Sequence, residues 1–152
     1  MKVKIFNDLA IYKKVRESVL SGEDFYKIAD KFSGEEKFAV EGIMKLMTVG
    51  YPQNKADVDI KDFRKFFAEV RAGKFIICEG ETAVEAVEKI LLEVVGKKLL
   101  INILGEENEL GMVDIAEATE KLAEVAEDII FGVTAEKSFA DKIFVVMVME
   151  EI

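Results

Sequence analysis

Two segments of the sequence are apolar on both of the faces that a β-strand presents. In the segment 74–78, Phe75 and Ile77 alternate with Ile76 and Cys78, and the segment 142–149 is apolar at every position after its first. Because successive side chains of a strand point to opposite faces, a sheet built from such strands must be covered on both sides. The sequence therefore predicts a sheet with helices on one face and the N-terminal helices, or a partner chain, on the other.

The second half of the chain follows the order strand–helix–strand–helix–strand–strand. The strands are predicted at 74–78, 99–104, 129–134 and 142–149, and the amphipathic helices at 82–95 and 113–128. The first strand–helix–strand unit predicts a right-handed parallel crossover. The last two strands are separated by a short polar stretch, which favours an antiparallel, hairpin-like unit. Together these elements predict a four-stranded mixed sheet with both late helices on one face.

The first half of the chain is predicted to be mainly helical. A short strand at 2–6 is followed by Asn7 and Asp8 as helix caps and by a helix that ends near Leu20. Apolar residues at helical spacing continue from Phe25 to Gly50 with an interruption at Ser33-Gly34, so this part is one irregular helix or two abutting helices. A loop at 51–57 and a helix at 59–72 complete the segment. The predicted class is α/β (α+β), with an N-terminal strand and helices at 1–49 and a two-layer sandwich at 50–152 in one compact unit.

Composition excludes several classes of function. The chain has 152 residues, no histidine and one cysteine, so histidine-based catalysis, a cysteine metal cluster and an internal disulfide are not expected. Its net charge of −9 argues against binding of nucleic acid or of an anionic membrane. The N-terminus lacks the apolar stretch of a signal peptide, and no run is long enough to span a membrane, so we expect a cytoplasmic protein. Abundant Glu and Lys with a single proline are typical of a heat-adapted source.

Several short motifs, in this order along the chain, resemble the C-terminal half of the FtsZ/tubulin family of filament-forming GTPases. They are Ile5-Phe6-Asn7-Asp8, Tyr26-Lys27-Ile28-Ala29-Asp30, Phe38-Ala39-Val40-Glu41-Gly42-Ile43 with Leu46-Met47-Thr48-Val49-Gly50, Val58-Asp59-Ile60-Lys61-Asp62-Phe63-Arg64, and Asp128-Ile129-Ile130-Phe131-Gly132-Val133 followed by Phe139-Ala140-Asp141-Lys142-Ile143 and Val145-Val146-Met147-Val148. The resemblance implies the last strand of the GTPase domain, the long central helix and the C-terminal sandwich domain. It also implies a part in cytoskeletal filaments such as those of cell division.

The sequence departs from the family at the phosphate site. The family's Gly-Gly-Gly-Thr-Gly loop should lie well before Asn7, where the sequence has six residues, and none of its ten glycines is adjacent to another. A row of backbone N–H groups able to hold a triphosphate is therefore not recognisable. About three residues more than the family pattern, close to one helical turn, lie between Ala29 and Ala39. We expect no cofactor, with GTP as a remote possibility, and no catalysis by the chain alone.

Asp57, Asp59 and Asp62 lie at the start of the helix predicted from Asp59. Aspartate at an N-cap or in a first turn satisfies free N–H groups and the helix dipole, so a capping role is one interpretation. The resemblance implies the other, because this loop–helix junction reaches into a neighbouring subunit's nucleotide in the family. In that case Asp59 and Asp62 polarise a water in trans, while the charge of Asp57, where the family has Asn, repels the triphosphate.

Tyr26 and Asp30 are one helical turn apart, and the resemblance implies that this segment meets the guanine base. An aromatic ring can stack on a base and a carboxylate can accept its N–H groups; the alternative is an exposed acid beside a half-buried tyrosine. Asn7 is either a weak contact on the same guanine side or a helix cap. Cys78, in an apolar strand with no basic neighbour, is predicted to be a buried, inert thiol. No metal site is expected.

Three functions remain open at this point. The first is a non-catalytic protein that binds itself or a filament-forming GTPase of the FtsZ/tubulin type, as a regulator or filament cap. The second is half of a split GTPase that hydrolyses GTP only with a separate N-terminal half. The third is a small-ligand module with a pocket at an uncovered face of the sheet. Nucleotide binding by the chain alone, or only with a partner, distinguishes the first two.

Overall fold

The computed structural model describes residues 2–47, 54–56, 58–136 and 141–151. Six strands and six α-helices follow one another in these ranges: β1 Val3–Ile5, α1 Leu9–Leu20, α2 Phe25–Ala29, α3 Gly34–Met44, β2 Asn54–Ala56, α4 Ile60–Glu69, β3 Gly73–Gly80, α5 Ala83–Glu88, β4 Lys98–Gly105, α6 Met112–Val125, β5 Asp128–Ala135 and β6 Ile143–Glu150. Short 3₁₀ turns follow α3 and precede α6. None of the helices in these ranges is long and apolar enough to cross a membrane.

The six strands form one mixed sheet in the order β1-β3-β6-β4-β5-β2. β6 pairs antiparallel with both β3 and β4, and β5 lies parallel to β4. The predicted fold class is confirmed, but the sheet has six strands instead of four. The two additions are short edge strands: β1 pairs with β3, and β2, which falls in the predicted loop, pairs with β5.

The predicted hairpin between the last two strands is wrong, because β4 lies between β5 and β6. The segment Leu99–Leu104 is buried throughout, and a strand that is buried on both faces is more stable with neighbours on both edges than at the rim of a sheet. The predicted parallel relation between β3 and β4 is confirmed, since both pair antiparallel with β6, which lies between them.

The two faces of the sheet carry separate hydrophobic cores. On one face, Phe75, Ile77, Val146 and Val148 pack with residues of α1, α3 and α4. On the other, Ile76, Cys78, Val145 and Met147 pack with residues of α5 and α6. This is the alternation that the sequence predicts, and both Phe75 and Val145 are almost completely buried. The N-terminal helices of the same chain therefore cover the second face, without a partner chain.

Two helical predictions differ from the structure in their bounds. The segment from Phe25 to Gly50 contains two helices, α2 and α3, with Gly34 at a φ of +61° where the second begins. The helix predicted at 82–95 is regular only to Glu88 and continues as tight turns, in which Ile90 N–H donates to the Val87 carbonyl. These turns leave Leu92 exposed, because two consecutive leucines cannot both face the sheet.

Candidate functional site at the start of helix α4

Helix α4 carries the two candidate carboxylates, and its inner side is held by aromatic packing. Phe63, Phe66 and Phe67 are buried against the N-terminal helices. The ring of Phe67 stacks on Tyr12 of α1, with centroids 5.5 Å apart and planes 11° from parallel. The ring of Phe63 contacts the ring of Phe67, with centroids 5.1 Å apart. Buried aromatic pairs of this geometry contribute beyond their buried area, so α4 is fixed firmly to α1.

The carboxyl end of α4 is also held by hydrogen bonds from α1. Arg16 donates from Nε to the Phe67 carbonyl at 2.7 Å and from Nη2 to the Ala68 carbonyl at 3.3 Å. The Tyr12 hydroxyl donates to the Val70 carbonyl. Burial raises the pKa of Tyr12 well above its ordinary range, so this hydroxyl keeps its proton and remains a donor. A cation at a helix C-terminus also complements the helix dipole.

The amino end of α4 projects its carboxylates into solvent. Asp59 is the N-cap, and its Oδ1 accepts the N–H of Lys61 at 2.7 Å. Asp62 lies in the first turn, and both aspartates are exposed. Residues at i and i+3 share a helix face, so the two carboxylates can approach one ligand from the same side. The capping role of Asp59 is confirmed, and the residue is exposed while it caps the helix.

Sequence reasoning missed the basic residues of this helix. Lys61, Arg64 and Lys65 are exposed on α4 together with Asp62. Their positive charges offset part of the negative charge of the two aspartates. These basic residues could have been noticed in the sequence, because Lys61 and Arg64 belong to the motif that carries the family resemblance. Asp57, the third aspartate of the predicted cluster, lies outside the described residues.

The residues predicted on the guanine side are exposed and separate from α4. Tyr26, on α2, is 73% exposed, and Asp30 follows the same helix. The Asp30 N–H donates to the Tyr26 carbonyl at 3.0 Å, which places the two residues one turn apart as predicted. The Asp30 carboxylate pairs with Lys37 of α3 at 3.5 Å. Asn7 is exposed, and the cap of α1 is its neighbour Asp8, whose carboxylate accepts the Ala10 N–H at 2.9 Å.

Cys78 is the remaining candidate for a reactive side chain. It is fully buried, and its thiol is free. Burial raises the pKa of its thiol to about 12, although the positive charge of Lys89 acts in the opposite direction. The predicted burial of the thiol is confirmed, but the prediction that no basic residue lies near it is wrong. Among the described residues, no group of three or more acidic or cysteine side chains is arranged to hold a metal ion.

Comparison with solved structures places this arrangement of strands and helices within a known class of fold. Two structures of FtsZ from M. jannaschii, a point mutant and an empty dimer, match with TM-scores of 0.66 and 0.65 at 21% and 22% sequence identity. The matches cover 84% and 83% of this chain, but only 40% and 38% of the FtsZ chains. No protein-family model matches the sequence, and no curated protein is significantly similar to it.

The chain therefore has an FtsZ-like fold over most of its length, as the resemblance implied. It spans about 40% of the length of the FtsZ chains that it matches. The extent of this match is consistent with the C-terminal half of FtsZ.

Proposed function

We propose that the chain is a non-catalytic FtsZ-like protein that binds itself or a filament-forming GTPase of the same fold. In the complex with the GTPase, it presents Asp59 and Asp62 to a nucleotide held by that neighbouring subunit. The observation that carries this proposal is the amino end of α4, where two exposed carboxylates stand on a helix fixed by Phe67, Arg16 and Tyr12. A rigidly held carboxylate suits the orientation of a water molecule better than a flexible one does.

The target of these carboxylates must be supplied by another subunit. The sequence contains no pair of adjacent glycines to form the phosphate loop of the family, so a triphosphate has no recognisable cradle on this chain. Two carboxylates beside a triphosphate repel it unless Mg²⁺ and positive side chains neutralise the charge. Lys61 and Arg64 supply part of that neutralisation here, and a complete pocket on the partner supplies the rest.

The isolated protein is expected to hydrolyse GTP no faster than buffer does. The measurement is phosphate release from GTP and Mg²⁺ in the presence of the purified chain, with Asp59→Asn as the matched variant. Turnover that the variant abolishes would contradict a non-catalytic protein. If nucleotide binding and turnover arise only after a separate GTPase half is added, the chain is half of a split enzyme instead.

Adding the protein to an FtsZ-type GTPase from the same cell is expected to raise GTP turnover or to shorten its filaments. Asparagine caps a helix as well as aspartate does, so Asp59→Asn and Asp62→Asn remove charge and leave α4 intact. Each should abolish the rate effect without weakening association, measured by co-sedimentation. Glu69→Gln, at the opposite end of α4, is the control and should behave as wild type. If both aspartate variants stay fully active, the aspartates only cap the helix.

A further inference from the structure

A groove of about 750 Å³ runs between α6 and β5, on the face of the sheet opposite to α4. Apolar side chains of one face of the helix and of alternate strand positions line it, and they include Met112, Ile115, Ala123, Ile129, Phe131 and Val133. Toward its carboxyl end, the helix contributes small side chains to the lining. They leave space above the helix backbone and make the surface concave. The volume suits a few large side chains and exceeds what a single bound water requires.

Two of the large apolar side chains at this groove are unusually open to solvent. Met112 is 86% exposed, and Phe131 is 36% exposed although it belongs to a strand that is otherwise largely covered. Val113, next to the groove in the first turn of α6, is 81% exposed. A contiguous exposed apolar patch with a polar border is typical of an interaction surface. Methionine at its edge adapts to partners of different shape because its side chain is flexible.

The segment that forms the helical side of the groove is strongly acidic. The segment 106–128, which contains α6 and the turn before it, has nine acidic residues against one basic residue, Lys121. The net negative charge of this segment alone is almost as large as that of the whole chain, which is −9. Glu107 and Glu120 belong to the lining itself. An apolar floor with an acidic border is complementary to apolar side chains that are flanked by lysine or arginine.

We propose that this groove binds a cationic amphipathic segment of another protein, with its apolar side chains against Phe131 and Met112 and its basic side chains near Glu120. Nucleic acid and anionic membranes are repelled by this border. A second copy that docks through the same groove brings like charge against like charge. The groove and α4 pack on opposite faces of the sheet, and β2, which leads to α4, pairs with β5 at Val133 beside the groove.

A labelled short helical peptide with leucine on one face and lysine on the other is the probe, and its binding is followed by fluorescence anisotropy. Wild-type protein should bind it saturably, and high salt should weaken the complex. Met112→Glu should weaken binding by roughly tenfold or more, since it places a charge where an apolar side chain docks. Leu92→Glu, at an equally exposed apolar residue outside the groove, should leave the affinity unchanged.

The charge contribution is tested with a second pair of variants. Glu120→Lys should weaken binding, whereas Glu93→Lys, which changes the net charge equally at an exposed position outside the groove, should not. Equal losses in Glu120→Lys and Glu93→Lys would show unspecific attraction and overturn the proposal. Equally tight binding of a peptide with glutamate in place of lysine would contradict the cationic partner. Dimerisation of wild type that Met112→Glu abolishes would identify a second copy as the occupant instead.

Discussion

Replacing Phe67 with alanine is expected to lower the free energy of unfolding by roughly 3–5 kcal/mol, the range observed when a fully buried phenylalanine is truncated. The ring is completely buried and contacts Tyr12, Phe63 and Phe66 with centroid distances of 5.5, 5.1 and 5.8 Å. Its loss leaves a cavity between α1 and α4 that these neighbours cannot fill without leaving their own positions. Single domains are stable by about 5–15 kcal/mol, so the variant should lose a large fraction of the stability of the fold.

The measurement is urea denaturation followed by circular dichroism, with Leu92→Ala as the control. Leu92 is 91% exposed, and its truncation should change the free energy of unfolding by less than about 0.5 kcal/mol. A loss below about 1 kcal/mol for Phe67→Ala would mean that the packing of α4 against α1 is looser than the structure indicates. In that event the rigid presentation of Asp59 and Asp62 would lose its support as well.

Replacing Asn102 with aspartate is expected to destabilise the fold by roughly 3–5 kcal/mol at neutral pH, the cost of leaving a buried charge uncompensated. Asn102 is fully buried, and its Nδ2 donates to the Gly42 carbonyl at 2.7 Å and to the Thr134 hydroxyl at 3.0 Å. These bonds join α3 to β4 and β5. A carboxylate in the same place directs negative charge at the Gly42 carbonyl, and the amide donor is gone.

The pH dependence of this variant distinguishes a buried charge from a simple packing defect. Burial should raise the pKa of the introduced carboxyl in the folded protein above its unfolded value of about 4. The unfolded state then binds fewer protons than the folded state between those two pKa values, so the variant loses stability relative to wild type as pH rises through that window. Denaturation at several pH values from about 5.5 to 8 should show a widening difference. Asn108→Asp, at an exposed asparagine, should show none.

The covering of both sheet faces could be predicted because burial in a strand has a local signature. Phe75 and Cys78 reveal their opposite faces by position alone, and the structure places them in different cores. The position of Asp59 at the start of a helix was predictable for the same reason. A cap depends on a few residues on either side of it.

The order of the strands could not be predicted, because it depends on pairing between distant segments. No local feature of β6 indicates that it lies between β3 and β4 and not beside β5. The anchoring of α4 was hidden in the same way. Arg16 and Tyr12 donate to carbonyls that lie more than 50 residues further along the chain. Because every residue has a backbone carbonyl, the sequence does not indicate which carbonyls accept these bonds. The groove beside α6 likewise arises only when the helix and β5 are placed together.

The central position of β6 also has a consequence for how the protein is made. β3 and β4 have no strand between them until the chain has been synthesised through Glu150, and the cores on both faces include residues of β6. Pairing of this kind joins segments far apart in sequence, which slows folding. At ordinary rates of synthesis, about 5–20 residues per second, the edges of β3 and β4 that later pair with β6 remain unpaired for several seconds on the ribosome. Completion of β6 is therefore the step that ends the nascent chain's exposure to aggregation, and a chain terminated before Ile143 should be retained by chaperones or degraded.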